Sequence, residues 1–249
     1  MSAKIALVLG ALALTLIGAA LVTPATAAPS CPLPIFGPGA DYHPVINPAS
    51  FSPNVDNPLF PLTPGTTLVY TGTKDGKTAL NIFTTTSRTK AIDGVTTRVV
   101  EDRLYLNNVL EERTSDYYAQ DSCGNVWYFG EDTATLDEHG KVVSTEGSFH
   151  AGVDGAQPGV FMQAKPEVGR QFRQEWYMGH AEDTFTPLNL STSIKVPAGS
   201  FKGALLTKET TSLEPAVVDN KYFVKGIGEV KEVAVKGPLE RLELVEVIS

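Results

Sequence analysis

The chain has 249 residues, with 20 Lys and Arg against 28 Asp and Glu, which gives a formal net charge of -8. An acidic chain without a basic block argues against a nucleic-acid partner and against electrostatic docking on anionic membranes. Charged residues make up 19% and hydrophobic residues 42% of the sequence, which is typical of a folded globular chain rather than a disordered one. Two cysteines are too few for a disulfide scaffold or a Cys-rich zinc protein.

The first 27 residues have the layout of a secretory signal peptide. A single charge at Lys4 precedes an apolar run from Ile5 to Val22, and small residues end the segment at Ala27. The alternative is an uncleaved anchor, because the apolar run is long enough to span a bilayer. We expect cleavage after Ala27, which places the mature chain in the periplasm or outside the cell and leaves no transmembrane span.

Export also determines how the two cysteines are expected to behave. Cys31 and Cys123 would lie in an oxidising compartment, where two cysteines most simply pair. Neither one belongs to a CxxC motif or lies beside a histidine or a lysine cluster, so a reactive thiol is the weaker alternative. The sequence therefore predicts a Cys31–Cys123 disulfide.

Residues 28–64 form a proline-rich segment. Proline lacks a backbone donor and fixes its own φ angle, so this segment cannot form a helix or a central strand. We predict an extended arm that lies on a β domain formed by residues 65–249, tethered by Cys31. Aromatic anchors are expected at Phe36, Tyr42, Phe51 and Phe60.

The pattern changes to strands and tight turns after Thr66. Asp75-Gly76 and Asp93-Gly94 are typical of two-residue hairpin turns, because both residues of each pair accept positive φ. Long strands are predicted for Val95–Leu106 and for Val109–Ala119. No segment shows a sustained helical period with caps, so the chain is predicted to be mainly all-β, a single curved antiparallel sheet or half-barrel meander.

The second half continues in the same style. A strand over Gln171–Met178 is expected to pair with Glu182–Leu190 around Gly179-His180, and four further strands follow between residues 204 and 247. No linker divides this part of the chain, and about 220 mature residues are enough for one sizeable core.

The C-terminal part resembles a known group of proteins. Val196-Pro197-Ala198-Gly199-Ser200-Phe201 is followed by Lys221-Tyr222-Phe223 and by Gly226-Ile227-Gly228-Glu229-Val230-Lys231. This order is similar to the VPAGxF…YY…GxGxVK pattern of exported bacterial β-sheet proteins of unknown function. The resemblance implies an architecture like that of the lipoprotein-localisation carriers, which are strongly curved antiparallel half-barrels, and it supplies no catalytic residues.

The search for catalytic motifs gives no match to a nucleophile elbow, a zinc protease helix, a P-loop or a dinucleotide fingerprint. Carboxylates and imidazoles near the glycine-rich loop could instead hold a divalent cation. Oxygen ligands alone would favour calcium, and two histidines would favour zinc or copper. The alternative is that these residues only solubilise sheet ends and turns. The candidate ligands are Glu131, Asp154, Glu175, His180, Glu182 and Asp183.

A second candidate site is aromatic. Trp127, Tyr128, Trp176 and Tyr177 lie on predicted strands, and neighbours on a strand point to opposite faces. One face must be core, and the other can line an apolar groove. Whether that groove is open or plugged by the proline-rich arm is left undecided by the sequence.

Three functions remain. The first is a non-catalytic envelope protein that binds a small hydrophobic molecule or lipid through these four aromatic residues, without a cofactor. The second is a divalent-cation-binding protein or metal-dependent hydrolase that uses the acidic and histidine residues. The third is a structural or interaction module of the cell envelope, with an oligomeric state that the sequence does not indicate.

Overall fold

A computed structural model describes residues 31–249 of the chain. The predicted signal peptide, Met1–Ala27, lies outside the described residues. Among the helices that the structure does describe, none has the length and hydropathy needed to cross a membrane.

Nearly all regular structure is β. Two short 3₁₀ turns, Gly39–Asp41 and Pro48–Ser50, precede the sheet. The sixteen strands are β1 (Phe51–Ser52), β2 (Thr67–Lys74), β3 (Lys77–Ile92), β4 (Val95–Leu106), β5 (Val109–Asp121), β6 (Val126–Leu136), β7 (Val142–Ser144), β8 (Phe149–His150), β9 (Gln157–Met162), β10 (Phe172–Arg173), β11 (Glu175–Trp176), β12 (Asp183–Val196), β13 (Gly199–Thr211), β14 (Val218–Val224), β15 (Gly228–Lys236) and β16 (Glu240–Ile248).

The strands form one antiparallel sheet in the order β10-β12-β13-β14-β15-β16-β2-β3-β4-β5-β6-β9-β11. Consecutive strands pair along most of this path, and the first long strand, β2, pairs with the C-terminal strand β16. The sheet curves until it is nearly closed and barrel-shaped. The prediction of a single, mainly antiparallel curved sheet is confirmed, and the curvature goes further than a half-barrel.

Both predicted Asp-Gly turns are present. Asp75 and Gly76 have φ of 50° and 74°, and Asp93 and Gly94 have φ of 47° and 75°. Positive φ at both central residues gives a turn whose twist matches that of the flanking strands. These turns fix the registers of β2 with β3 and of β3 with β4.

The predicted pairing of Gln171–Met178 with Glu182–Leu190 is correct only in part. β10 pairs with β12, with Phe172 opposite Phe185, but β11 leaves that partner and pairs with β9. This change of partner brings the backbone of Gln174 close to Gly159. A Cβ atom on residue 159 would lie 2.1 Å from the Gln174 backbone. A residue without a side chain is therefore required at position 159, and the predicted long strand is split.

The arm first covers the outer surface of the sheet. Cys31 is bonded to Cys123 in the β5–β6 turn, as predicted. Phe51 lies edge-on against Trp127 and Phe129, with ring centroids 5.9 and 5.3 Å away. The Tyr42 hydroxyl donates to the Pro158 carbonyl at 3.0 Å. These contacts bury the outward-facing aromatic row of β6.

The arm then turns inward and closes one end of the barrel. Val55, Phe60 and Leu62 are buried in the same cluster as Tyr118 and Phe223, which face the barrel interior. The Gly226 N–H donates to the Pro58 carbonyl at 2.7 Å, which joins this segment to the β14–β15 turn. The arm therefore plugs the barrel at the end where the β5–β6 and β14–β15 turns lie.

Candidate binding cavity inside the barrel

An interior cavity of about 410 Å³ remains beyond the plug. Its wall is built by β2 to β5 and β14 to β16, and its floor contains Phe60 and Leu62 of the arm. Exposed Glu214, in the β13–β14 connection, lies at its rim, so the cavity reaches solvent at the end opposite the plug. The barrel is thus cup-shaped, closed at the plugged end and open at the opposite end. The volume of the cavity is in the range of small-molecule sites.

Part of the wall is apolar. Phe83 of β3 and Phe161 of β9 both contact Phe60, with ring centroids 6.0 and 4.5 Å away. Further apolar contributions come from side chains on β2, β4, β14–β15 and β16, namely Leu68, Leu104, Ile227 and Leu242.

The rest of the wall is acidic. Eight carboxyl groups and only two lysines line the cavity. The acids are Asp102, Glu112, Asp116, Glu214, Asp219, Glu229, Glu232 and Glu240, and the lysines are Lys74 and Lys221.

A β-bulge places two of these acids on one strand. Phe223 of β14 is opposite Glu229 and Tyr222 is opposite Lys231, so the register shifts by one residue between them. The extra residue, Val230, is fully buried. The bulge lets both Glu229 and Glu232 line the cavity, although their spacing of three would place them on opposite faces of a regular strand.

Both lysines are paired with carboxylates. Lys221 Nζ lies 3.1 Å from Glu209 Oε2 and 3.6 Å from Glu232 Oε1. Lys74 Nζ lies 3.1 Å from Glu240 Oε2. The remaining acids of the wall form no ion pair within residues 31–249.

Burial changes the ionisation of these acids. It raises the pKa of Asp102 to about 6, against hydrogen bonding from Asn81 that lowers it. Burial and then the charge of Asp102 raise the pKa of Asp116 to about 8. Burial likewise raises the pKa of Glu229 well above its usual range, despite the opposing effect of Lys221. Burial therefore makes the charged forms of these carboxyl groups unfavourable unless a positive charge lies beside them.

Asp116 also belongs to a hydrogen-bonded trio. The Tyr128 hydroxyl lies 2.6 Å from Asp116 Oδ1 and 3.0 Å from Glu131 Oε2. A phenol donates one hydrogen, so both contacts are satisfied when one carboxyl group is protonated and donates to the phenol oxygen. Burial, followed by the charge of Asp116, raises the pKa of Glu131 well above its usual range, which fits a proton held in this trio.

Tyr118 is a further polar residue on the wall. Its side chain is 4% exposed and stacks on Tyr128 with ring centroids 4.7 Å apart. It lines the cavity, and its hydroxyl makes no hydrogen bond to any residue of the described chain. A ligand in the cavity can therefore take this hydroxyl as a partner.

The four aromatic residues predicted from the sequence do not meet in this cavity. Trp127 faces the outer side of the sheet and donates to Asp121 Oδ2 at 3.0 Å, whereas Tyr128 faces inward. Trp176 is buried against Arg173, whose guanidinium lies 4.3 Å from its ring. Tyr177 stacks on His180. Their role in holding a ligand stays a prediction.

The six predicted metal ligands are brought together only in part. Burial, and then the charges of Asp183 and Glu131, raise the pKa of Glu175 well above its usual range, so these three interact. Glu131 and Asp154 line a second, smaller pocket of about 220 Å³, together with His150. His180 instead contacts Glu146, with 2.9 Å between Nδ1 and Oε1. Glu182 accepts a hydrogen bond from the Gly179 N–H and another from Ser212, while Glu175 and Asp183 lie on β11 and β12.

Metal-ligand geometry points elsewhere. Within residues 31–249, the one group of three candidate ligand atoms that all lie within 4.8 Å of one another is Cys31, Asp121 and Cys123. Both of these cysteines are used by the disulfide. Metal binding by the predicted residues stays a prediction.

From the sequence, the cavity residues could have been found only by assigning charged residues on the strands to the inner face of the barrel. Val100, Asp102 and Leu104 share one face of β4, and the first and last are buried. Because residues two apart on a strand face the same way, an acidic residue such as Asp102 between two apolar ones indicates that its side chain faces the interior.

Comparison with known proteins gives two structural neighbours. One is a protein from Bacteroides fragilis described as exported and as having a YmcC-like fold, with 11% identity, a TM-score of 0.43, and coverage of 77% of this chain and 99% of that chain. The other, from Parabacteroides distasonis, is described as a lipoprotein, with 10% identity, a TM-score of 0.42, and coverage of 76% of this chain and 97% of that chain. No protein-family model and no curated protein matches the sequence.

Proposed function

We propose that this chain is a non-catalytic binding protein of the cell envelope that holds a small molecule with an apolar part inside its barrel. The observation that carries the proposal is the cup-shaped cavity, which the arm closes below and which reaches solvent above. Pockets of this volume bury most of a small ligand, and apolar walls with a few convergent polar groups are typical of them.

Several features favour binding in this place. Phe83 and Phe161 pack against Phe60, which gives the cavity an apolar side formed by side chains that already contact one another. The hydroxyl of Tyr118 offers one specific polar contact. The disulfide supports an oxidising, extracytoplasmic location, which agrees with the predicted signal peptide.

A neutral probe tests the cavity itself. We expect 1-octanol to bind the purified protein and raise its unfolding temperature by mass action. Tyr118→Phe should leave the unfolding temperature of the free protein unchanged, because the hydroxyl has no partner, and should weaken octanol binding about fivefold, the value of one neutral hydrogen bond. Calorimetric titration and thermal unfolding measure the two quantities.

The matched control is Tyr105→Phe, which removes the same atom from a half-buried tyrosine of β4 outside the cavity. Octanol affinity should be unchanged in this variant. A wild-type protein that does not bind octanol, or an equal loss in both variants, would contradict the proposal.

A further inference from the structure

The cavity wall carries many more acidic groups than basic ones. Of the eight carboxyl groups, Glu232 and Glu240 are paired with lysines. The other six make no ion pair within the described part of the chain. They are Asp102, Glu112, Asp116, Glu214, Asp219 and Glu229.

We infer that the ligand of this cavity is an organic cation, an amine that carries an apolar group; the inference rests on the proposed function. An ionised carboxylate that is partly removed from water is costly unless a positive charge accompanies it. A bound ammonium group supplies that charge. A fatty acid or another anion would instead bring a negative charge beside carboxyl groups that have no positive partner.

The shape of the site favours an amine over a bare metal ion. No three of the wall carboxylates bring oxygen atoms within 4.8 Å of one another in the structure described here, so a compact set of metal ligands is not formed. The cavity is also far larger than an ion, and Phe60, Phe83 and Leu104 give it an apolar side that an ion would not use. An alkyl or aryl group fits that side while the ammonium group faces the acids.

Tyr118 supplies an independent observation. Tyr118 lines the cavity and is only 4% exposed. Its hydroxyl has no hydrogen-bond partner among residues 31–249. A phenol oxygen accepts a hydrogen bond, and an ammonium group has three hydrogens to donate. One ammonium group can therefore donate to the Tyr118 hydroxyl and to neighbouring carboxylates at the same time.

Three probes of equal length and different charge test the inference: octylamine, 1-octanol and octanoate, titrated into the purified protein at pH 8. Octylamine should bind at least tenfold more tightly than octanol, since a hydrogen bond to a charged group is about twice as strong as a neutral one. Octanoate should bind least. Octanol or octanoate binding as tightly as octylamine would overturn the inference and leave the proposed function standing, whereas a failure of all three would overturn both.

Two acids on different strands provide the variant test. Asp102→Asn with Glu229→Gln replaces two ionisable carboxyl groups of the wall by neutral amides and keeps its shape. Octylamine affinity should fall about 100-fold, at tenfold for each charge-assisted contact. Octanol affinity should be unchanged, which shows that the altered cavity is intact.

The control is Glu246→Gln, which changes the charge of an exposed residue on β16 outside the cavity. Its octylamine affinity should equal that of the wild type. An equal effect of the control and of the cavity variant, or an equal loss of octanol and octylamine binding in the cavity variant, would overturn the assignment of the cation to these carboxylates.

Discussion

Replacing Lys221 by methionine is expected to destabilise the protein by about 3 kcal/mol at pH 8, the lower end of the cost of breaking a buried ion pair by removing one partner. Lys221 lies between Glu209 and Glu232, and Glu209 is 8% exposed. Without the ammonium group, Glu209 is left ionised and unpaired near the charge of Glu232. Urea unfolding of the variant and the wild type measures the difference.

The same variant should lose less stability at pH 5. Burial raises the pKa of Glu209, and loss of Lys221, the strongest influence that lowers it, raises that pKa further. At pH 5 the carboxyl group can then take up a proton instead of remaining a buried charge. The control is Lys225→Met, since Lys225 is exposed and its loss should cost less than about 0.5 kcal/mol.

A double variant checks the explanation. Adding Glu209→Gln to Lys221→Met removes the unpaired charge and should recover most of the lost stability at pH 8. If Lys221→Met is as stable as the wild type, or if the double variant recovers nothing, the ion pair does not have the role assigned to it.

Replacing Asp116 by asparagine should change how stability depends on pH. Burial and the charge of Asp102 raise the folded-state pKa of Asp116 to about 8, whereas an unfolded aspartate titrates near its ordinary value of 3.8. The folded protein therefore holds a proton on this group that the unfolded chain has released. The resulting stabilisation is fully present below about pH 4 and is lost as the pH rises through 8.

The groups that face Asp116 act in both directions. Asp102 and Glu112 raise its pKa, while Arg103 and the hydrogen bond from Tyr128 lower it. With these effects combined, the wild type should lose about 3 kcal/mol of stability from this one group between pH 5 and pH 8. Asp116→Asn keeps an oxygen that accepts from Tyr128 and has no proton to lose, so its stability should fall less over this range.

Thermal and urea unfolding at pH 5, 6.5 and 8 measure the effect. The exposed Glu246→Gln should follow the wild-type profile, because that residue lies outside the cavity. Parallel profiles for Asp116→Asn and the wild type would show that Asp116 is ionised across the whole range, contrary to the raised pKa.

Much of the architecture could be predicted from local chemistry. Asp75-Gly76 and Asp93-Gly94 marked hairpins that the structure contains, and the bounds predicted for Val95–Leu106 are those of β4. The strands of this part of the chain are consecutive, so the meander followed from the turns alone. The disulfide followed from the number of cysteines and the predicted compartment.

The extent of β3 was harder to predict. The strand runs from Lys77 to Ile92 across a register shift between Thr85 and Thr89. A bulge interrupts the regular alternation of buried and exposed residues, so the pattern by which a strand is recognised is lost at that point.

The candidate site could not be predicted for a related reason. Charged residues on strands are normally assigned to the solvent side, and the aromatic residues Trp127 and Trp176 gave the more obvious signal. The side that each acid faces depends on bulges such as the one at Val230, which align Glu229 and Glu232 in the same wall. Those bulges are set by pairing between strands, which no single strand reveals.

Whether the arm plugs the groove could also not be predicted without the fold. Both alternatives are realised, because Val55 to Leu62 fills one end of the barrel and leaves the other end open. How much of the barrel interior the arm occupies depends on the width of the barrel around Phe60. Strand tilt and closure set that width, and the proline-rich composition of the arm does not reveal it.

The most direct test of the account is a crystal structure of the protein grown with octylamine. We expect one elongated molecule inside the barrel, with its chain against Phe60 and Phe83 and its nitrogen about 3 Å from the Tyr118 hydroxyl and from carboxylates of the wall. Octylamine seated on the outer surface with the barrel interior unchanged, or a barrel interior closed by its own side chains, would contradict it.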